Sequence, residues 1–257
     1  MALALAMPER ISLLGWLRIT VRIWAMLVLL ALSVPLYYLL RIVTSHNPAP
    51  RFFLGGIGWI AGVEWQITGR QAGGNSFLIV NHVSWIDIPA IAAASGAAFV
   101  AHDGLASMPV LRWLCAMNDT VFVARHDRAT IHLQVEKVRD AVQRSGALAI
   151  FPEGTTSDGT DLLPFKSSLL SALDPVPPGV AVQPVLLSFG REAADVAWVG
   201  EEHGLANFLR ILARGRPVAL GVHFLPPLAG AALENRKTMA AAARSAMLEA
   251  MQAAMRV

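Results

Sequence analysis

The chain has a single cysteine, Cys115, so it cannot form an intrachain disulfide, and a reducing compartment suits it. Charge is also scarce. Asp, Glu, Lys and Arg make up 15% of the residues, against roughly a quarter in ordinary soluble domains. No basic run resembles a nucleic-acid arm, which removes nucleic acid from the expected partners. The Gly-x-Ser-x-Gly elbow of serine hydrolases and the Gly-rich Lys-Ser/Thr loop of nucleotide binders are both missing. So are internal repeats and low-complexity tracts.

Apolar residues, by contrast, make up 55% of the chain, and the net charge of +3 favours an anionic neighbour such as lipid headgroups. From Ile23 to Leu40 the chain reads IWAMLVLLALSVPLYYLL without a charge, with Arg18 and Arg22 before it and Arg41 and Arg51 after. As a helix this run spans about 27 Å, slightly short of a hydrocarbon core of about 30 Å. Three readings fit: a spanning or re-entrant helix, a helix in the interface continuing from Ile11–Ile19, and a cleaved signal peptide. No small-x-small cleavage site follows Leu40, which counts against the third. Pro35 is expected to bend the helix. The segment reads as a membrane anchor over residues 1–46, with one globular domain over 47–257.

Asn47-Pro48-Ala49-Pro50 marks a break after the anchor. Beyond it, Phe77–Val80, Ala98–Ala101, Thr120–Val123, Ala147–Phe151, Val180–Ser188 and Val218–Phe224 are short apolar runs that read as buried strands. Ala129–Ser145 has helical spacing, and Asn235–Met255 reads as an Ala-rich terminal helix. Such alternation predicts an α/β domain: a mixed, largely parallel sheet flanked by helices.

Two loops carry the chemistry. Phe77–Val80 runs straight into Asn81-His82-Val83-Ser84-Trp85-Ile86-Asp87, with an apolar helix beginning near Trp85. Five helical residues turn about 500°, so His82 and Asp87 meet only if His82 precedes the helix and Asp87 sits in its first turns. A carboxylate on one imidazole nitrogen leaves the other free to accept a proton, making a general base. A surface histidine beside a capping Asp is the plain alternative. No His or Cys sits at ligand spacing around this motif, so no metal is expected. The second loop, Phe151-Pro152-Glu153-Gly154-Thr155-Thr156-Ser157, combines a flexible glycine with three hydroxyls, which suits hydrogen bonds to phosphate or hydroxyl oxygens. An ordinary Gly-Thr-Ser turn would also fit. Lys166, in Pro164-Phe165-Lys166-Ser167-Ser168, can reach the same anion. Thr120–Arg125 places Arg125 just beyond a strand, where a guanidinium can take a phosphate bidentately. Val182-Gln183-Pro184-Val185 reads as structural. The other six histidines (His46, His102, His126, His132, His203 and His223) have no comparable partner spacing.

In order, NHVSWID, VFVAR, FPEGTTS and VQPV resemble the lysophospholipid acyltransferase family, in particular the bacterial 1-acylglycerol-3-phosphate acyltransferases. The resemblance covers about Phe77 to Pro227. It implies that His82 deprotonates the acceptor hydroxyl and Asp87 orients it. It also implies that Phe122, Arg125, Glu153, Gly154, Thr155, Thr156 and Lys166 surround the acceptor, and that Val182–Val185 support the acyl path. No bound cofactor is implied. Acyl-CoA or acyl-carrier protein is the co-substrate, a lysolipid the acceptor, and the inner membrane the location, with the catalytic domain cytoplasmic. The expected reaction makes phosphatidic acid from 1-acyl-glycerol-3-phosphate, with a lyso-ornithine lipid as the alternative acceptor. A non-catalytic membrane-associated binding protein is the reading from another class. Departures from the family pattern at Ala101-His102-Asp103 and Ser167-Ser168 bear on the headgroup.

Overall fold

Runs such as Phe77-Leu78-Ile79-Val80 are apolar at every position, which suits a strand covered on both faces. In the computed structural model, which describes residues 11–44, 47–102, 109–123 and 131–254, those runs form the middle of a seven-stranded sheet. The elements in chain order are α1 (Leu13–Val43), α2 (Ala49–Ala61), β1 (Val63–Gly69), β2 (Asn75–Val80), α3 (Asp87–Ser95), β3 (Ala98–His102), α4 (Pro109–Met117), β4 (Val121–Val123), α5 (Ile131–Ser145), β5 (Ala147–Ile150), β6 (Val180–Ser188), α6 (Ala193–Val196), α7 (Gly204–Ala213), β7 (Val218–Phe224) and α8 (Arg236–Ala254).

The strands lie in the order β1-β7-β6-β2-β5-β3-β4. All neighbouring pairs are parallel except β6 and β7. The sheet is thus mixed and largely parallel, as expected, and the carboxyl ends of β2, β5 and β6 share one edge. One face packs on α2, α3 and α7 through Leu78, Val80, Ile86, Ile91, Ile211 and Leu212. The other packs on α5 and α8 through Phe77, Ile79, Leu148, Val142, Met239 and Met247. Each fully buried side chain of this kind contributes about 1.5–3 kcal/mol by leaving water.

Five elements were not expected: β1, α2, α4, α6 and α7. β1 reads Val63-Glu64-Trp65-Gln66-Ile67-Thr68-Gly69, alternating as an edge strand does, so it contains no apolar run. α2 starts where two prolines suggest only a break, because Pro48 is its N-cap and Pro50 lies in its first turn. Proline is tolerated there, since first-turn N–H groups have no helical acceptor.

The amino-terminal helix is also longer than its charge-free run. α1 joins the Ile11–Ile19 stretch to the apolar run and continues through Pro35. Ser12 caps it, accepting the N–H of Gly15 at 3.1 Å. Its most apolar 18-residue window has a mean hydropathy of 2.2, with 6% of that window buried. Trp24, Leu32, Leu39 and Ile42 of α1 and Phe52 and Trp59 of α2 stand exposed. Near its start α1 is docked to the sheet domain: Arg22 donates to the carbonyls of Leu212 (2.9 Å) and Arg214 (3.1 Å), and Arg18 to that of Ala213 (3.4 Å). Cations at a helix carboxyl end satisfy its orphan carbonyls and its dipole.

Candidate active site

His82 leaves β2 one residue after Asn81, whose buried side chain extends the sheet. Asn81 Nδ2 donates to the Leu187 carbonyl (3.0 Å), and its Oδ1 accepts the Leu187 N–H (2.7 Å). Asp87 opens α3, so His82 lies in the turn before the helix and the two side chains meet. His82 Nδ1 stands 2.7 Å from Asp87 Oδ2. That oxygen also accepts the main-chain N–H groups of Val83 (2.6 Å) and Ser84 (2.9 Å). Asp87 is wholly buried, and its Oδ1 has no partner among the described residues. Three donors on Oδ2 and the positive end of α3 stabilise the buried charge.

A carboxylate only accepts, so Nδ1 carries the proton and Nε2 presents its lone pair. Among the described residues Nε2 has no hydrogen-bond partner, and the His82 side chain is 19% exposed. Its ring lies on Phe151, with centroids 4.2 Å apart at 21°, and Phe151 in turn lies on Phe99. The imidazole is therefore fixed at one nitrogen, supported on one face and open at the other nitrogen.

The FPEGTTS loop leaves the neighbouring strand β5 and closes on the backbone of His82. Glu153 Oε1 accepts the His82 N–H at 2.9 Å. The carbonyl of His82 accepts the N–H (2.7 Å) and hydroxyl (3.1 Å) of Ser157. Glu153 is 1% exposed. Burial pushes its carboxyl from 4.5 up to about 7, opposed by the backbone donors of His82 and Leu163.

Gly154 takes a left-handed φ of +67°, and a side chain there would press on Lys166 and Leu169. The exposed Lys166 therefore lies against the loop, and its N–H donates to the Pro152 carbonyl at 2.8 Å. Of the loop's three hydroxyls, Ser157's is spent on His82 and Thr156's on the carbonyl of Trp198. Thr155 is exposed, and among the described residues its hydroxyl and its N–H have no partner. The Thr156 N–H is likewise unpartnered. Two successive N–H groups without partners after a left-handed glycine are donors available to an anion.

The structure thus gathers His82, Asp87, Glu153, Gly154, Thr155, Thr156 and Lys166 at one sheet edge. Phe122 is elsewhere. It pairs with Ala101 on β4, three strands from β2 or about 14 Å. There it lines a small cleft with Asp119, Thr120, Asp140 and Arg144. Arg125 lies outside the described residues. Gln183 of the VQPV stretch is buried and ties strand ends together, accepting the Ala72 N–H (2.8 Å) and donating to the carbonyls of Arg70 (3.0 Å) and Leu225 (2.7 Å).

Sequence reading singled out neither Phe151 nor Ser157, although both lie inside a recognised motif. Trp198 carries no local signal. Its N–H donates to the Val83 carbonyl at 2.9 Å and its own carbonyl takes Thr156, so it fastens both loops. Asn207, fully buried, holds this segment from α7 through the carbonyls of Val196 (3.3 Å) and Ala197 (3.1 Å).

Fold and site together define an α/β protein with a carboxylate-oriented histidine at a strand end and an apolar helix exposed beside it. Comparison with known proteins narrows the class. The acyltransferase family model matches residues 64–188. The lyso-ornithine lipid O-acyltransferase of Rhodobacter capsulatus is 30% identical over 201 residues, covering 75% of this chain and 71% of that protein. The 1-acyl-sn-glycerol-3-phosphate acyltransferase of Neisseria gonorrhoeae is 41% identical over 95 residues, 37% of each chain. The crystal structure of the 1-acyl-sn-glycerophosphate acyltransferase from Thermotoga maritima shares the fold, with a TM-score of 0.66, 17% identity, and coverage of 93% of this chain and 96% of that one. This chain belongs to the lysophospholipid acyltransferase family. It is a lipid acyltransferase, and its exposed apolar helix is consistent with membrane association.

Proposed function

We propose that the protein transfers a fatty acyl group from a thioester to the free hydroxyl of a lysolipid, with His82 Nε2 as general base and Asp87 as its orienter. The observation that carries this reading is the 2.7 Å contact between His82 Nδ1 and Asp87 Oδ2, which leaves Nε2 open. As the acceptor oxygen attacks the thioester carbonyl, its proton passes to Nε2. The tetrahedral intermediate then collapses, the C–S bond breaks, and the thiolate leaves as a thiol with that proton. The N–H groups of Thr155 and Thr156 are the available donors for the oxyanion or for an acceptor anion. No enzyme nucleophile and no metal take part.

The acceptor on this reading is a lyso-ornithine lipid, because a relative of that activity matches 201 residues of the chain. A phosphate-bearing 1-acyl-glycerol-3-phosphate is the second reading, favoured by the higher identity of a shorter match. The donor is acyl-CoA or acyl-carrier protein, arriving from the cytoplasm. Residues 1–46 and the exposed face of α2 seat the catalytic domain, 47–257, on the inner membrane. Arg125 and Lys166 serve the acceptor's anionic group, and Phe122 has a supporting rather than a contact role. A labelled acyl thioester offered with lysolipids that have and lack a phosphate tests the assignment. Product only with lyso-ornithine lipid supports the first acceptor. Thioester consumed without any acceptor would make the protein a hydrolase instead.

A further inference from the structure

Both oxygens of Glu153 accept main-chain N–H groups, and the residue is 1% exposed. Oε1 takes the N–H of His82 (2.9 Å), and Oε2 takes the N–H of Leu163 (3.1 Å). Leu163 belongs to the stretch that ends in Lys166, and this stretch is held from behind. Arg244 of α8 donates to the carbonyls of Leu162 (2.7 Å) and Leu163 (3.2 Å). Glu153 therefore connects the peptide of His82 to the loop that carries Lys166. Ser157 grips the carbonyl on the other side of the same residue.

We propose that Glu153 is a positioning residue, whose carboxylate fixes the main chain of His82 against the Leu163–Lys166 loop and touches no substrate. The proposal rests on the reading of His82 as the base. A carboxylate suits this place because it presents acceptors only, whereas a neutral acid or an amide turns a hydrogen toward one of two N–H donors. The surroundings make the clamp responsive near neutrality. Burial raises the Glu153 carboxyl to about 7; His82 favours its charge and Asp87 opposes it. Of the nearby cations, Arg244 is spent on backbone carbonyls, and Lys166 lies across Gly154. As pH falls through about 7, Glu153 takes up a proton and one of its two N–H partners loses its acceptor.

The test is Glu153→Gln, with kcat and KM measured for donor and acceptor from about pH 6 to about pH 8.5, beside the wild type and His82→Ala. At the alkaline end kcat falls by about tenfold to a hundredfold, the scale of a slightly misplaced reactive group, with both KM values unchanged. The ratio of wild-type to variant kcat shrinks below about pH 7, where the wild-type carboxyl resembles the amide. Effects common to both proteins divide out of that ratio. A raised acceptor KM at unchanged kcat, or a ratio independent of pH, overturns the proposal. An active His82→Ala defeats the base assignment itself, which separates the two failures. A second measurement needs no variant. In selectively ¹⁵N-labelled wild type the main-chain amide signals of His82 and Leu163 shift together, with a midpoint at about 7. Signals that stay fixed, or that titrate apart, overturn it as well.

Discussion

Two histidines of this molecule are held by hydrogen bonds of the same length and have opposite prospects. His223 on β7 has Thr68 Oγ1 at 2.7 Å from Nδ1 and Ser188 Oγ at 2.7 Å from Nε2. Both ring nitrogens are occupied, both partners are neutral, and burial pushes its imidazole below the usual range. His82 has one partner, which is a buried carboxylate, and a free second nitrogen. A base needs a vacant lone pair and a nearby negative charge to stabilise the cation it becomes. His82 has both, and His223 has neither. The Ser188–His223–Thr68 row resembles a nucleophilic triad in its residue types, but it works as cross-strand stitching between β6, β7 and β1.

That contrast breaks if activity follows the wrong histidine. His82→Ala should lower kcat by about 10²–10⁴-fold, the span attributed to general-base catalysis, with the protein still folded by circular dichroism. Asp87→Asn comes next. Losing a charge-assisted hydrogen bond of about 1.5–3 kcal/mol corresponds to roughly tenfold to a hundredfold in kcat. Its thermal melt should drop too, because the amide cannot accept from Val83, Ser84 and His82 as the carboxylate does.

Glu153, whose expected loss of kcat is of the same order, should also show a pH-dependent effect on stability. The folded chain keeps the Glu153 proton up to about 7, whereas an unfolded carboxyl loses it near 4.5. Between those values the folded state binds more protons, so stability from this group falls as pH rises from about 5 to about 7. Glu153→Gln has no such group, so the melting temperatures of variant and wild type should diverge over that window and run parallel outside it. Smallest of all is His223→Gln. It should leave kcat unchanged and cost about 1 kcal/mol of unfolding free energy in denaturant melts, the scale of one hydrogen bond. A large activity loss there would erase the distinction between the two sites.

Much of this was legible beforehand. The six apolar runs became strands, β2, β5 and β6 among them buried on both faces. Helical geometry set the condition under which His82 and Asp87 meet, with His82 ahead of the helix. β1 escaped because its alternation lacks an apolar run, and α2 because proline can start a helix as well as stop one. Trp198 was invisible, since nothing local marks a residue whose main-chain partners, Val83 and Thr156, lie on other elements.

The sequence by itself determined which residues could do chemistry here: a histidine five positions before an aspartate at a strand end, and a Gly-Thr loop after another strand. Local spacing decides such things, because backbone geometry over a few residues is the same wherever they fold. Only the tertiary structure decided what each polar group is used for. Parallel pairing of β2 with β5 sets the two loops side by side. Close packing then turns Glu153, Thr156 and Ser157 toward backbone partners, because a buried polar group left unbonded is costly.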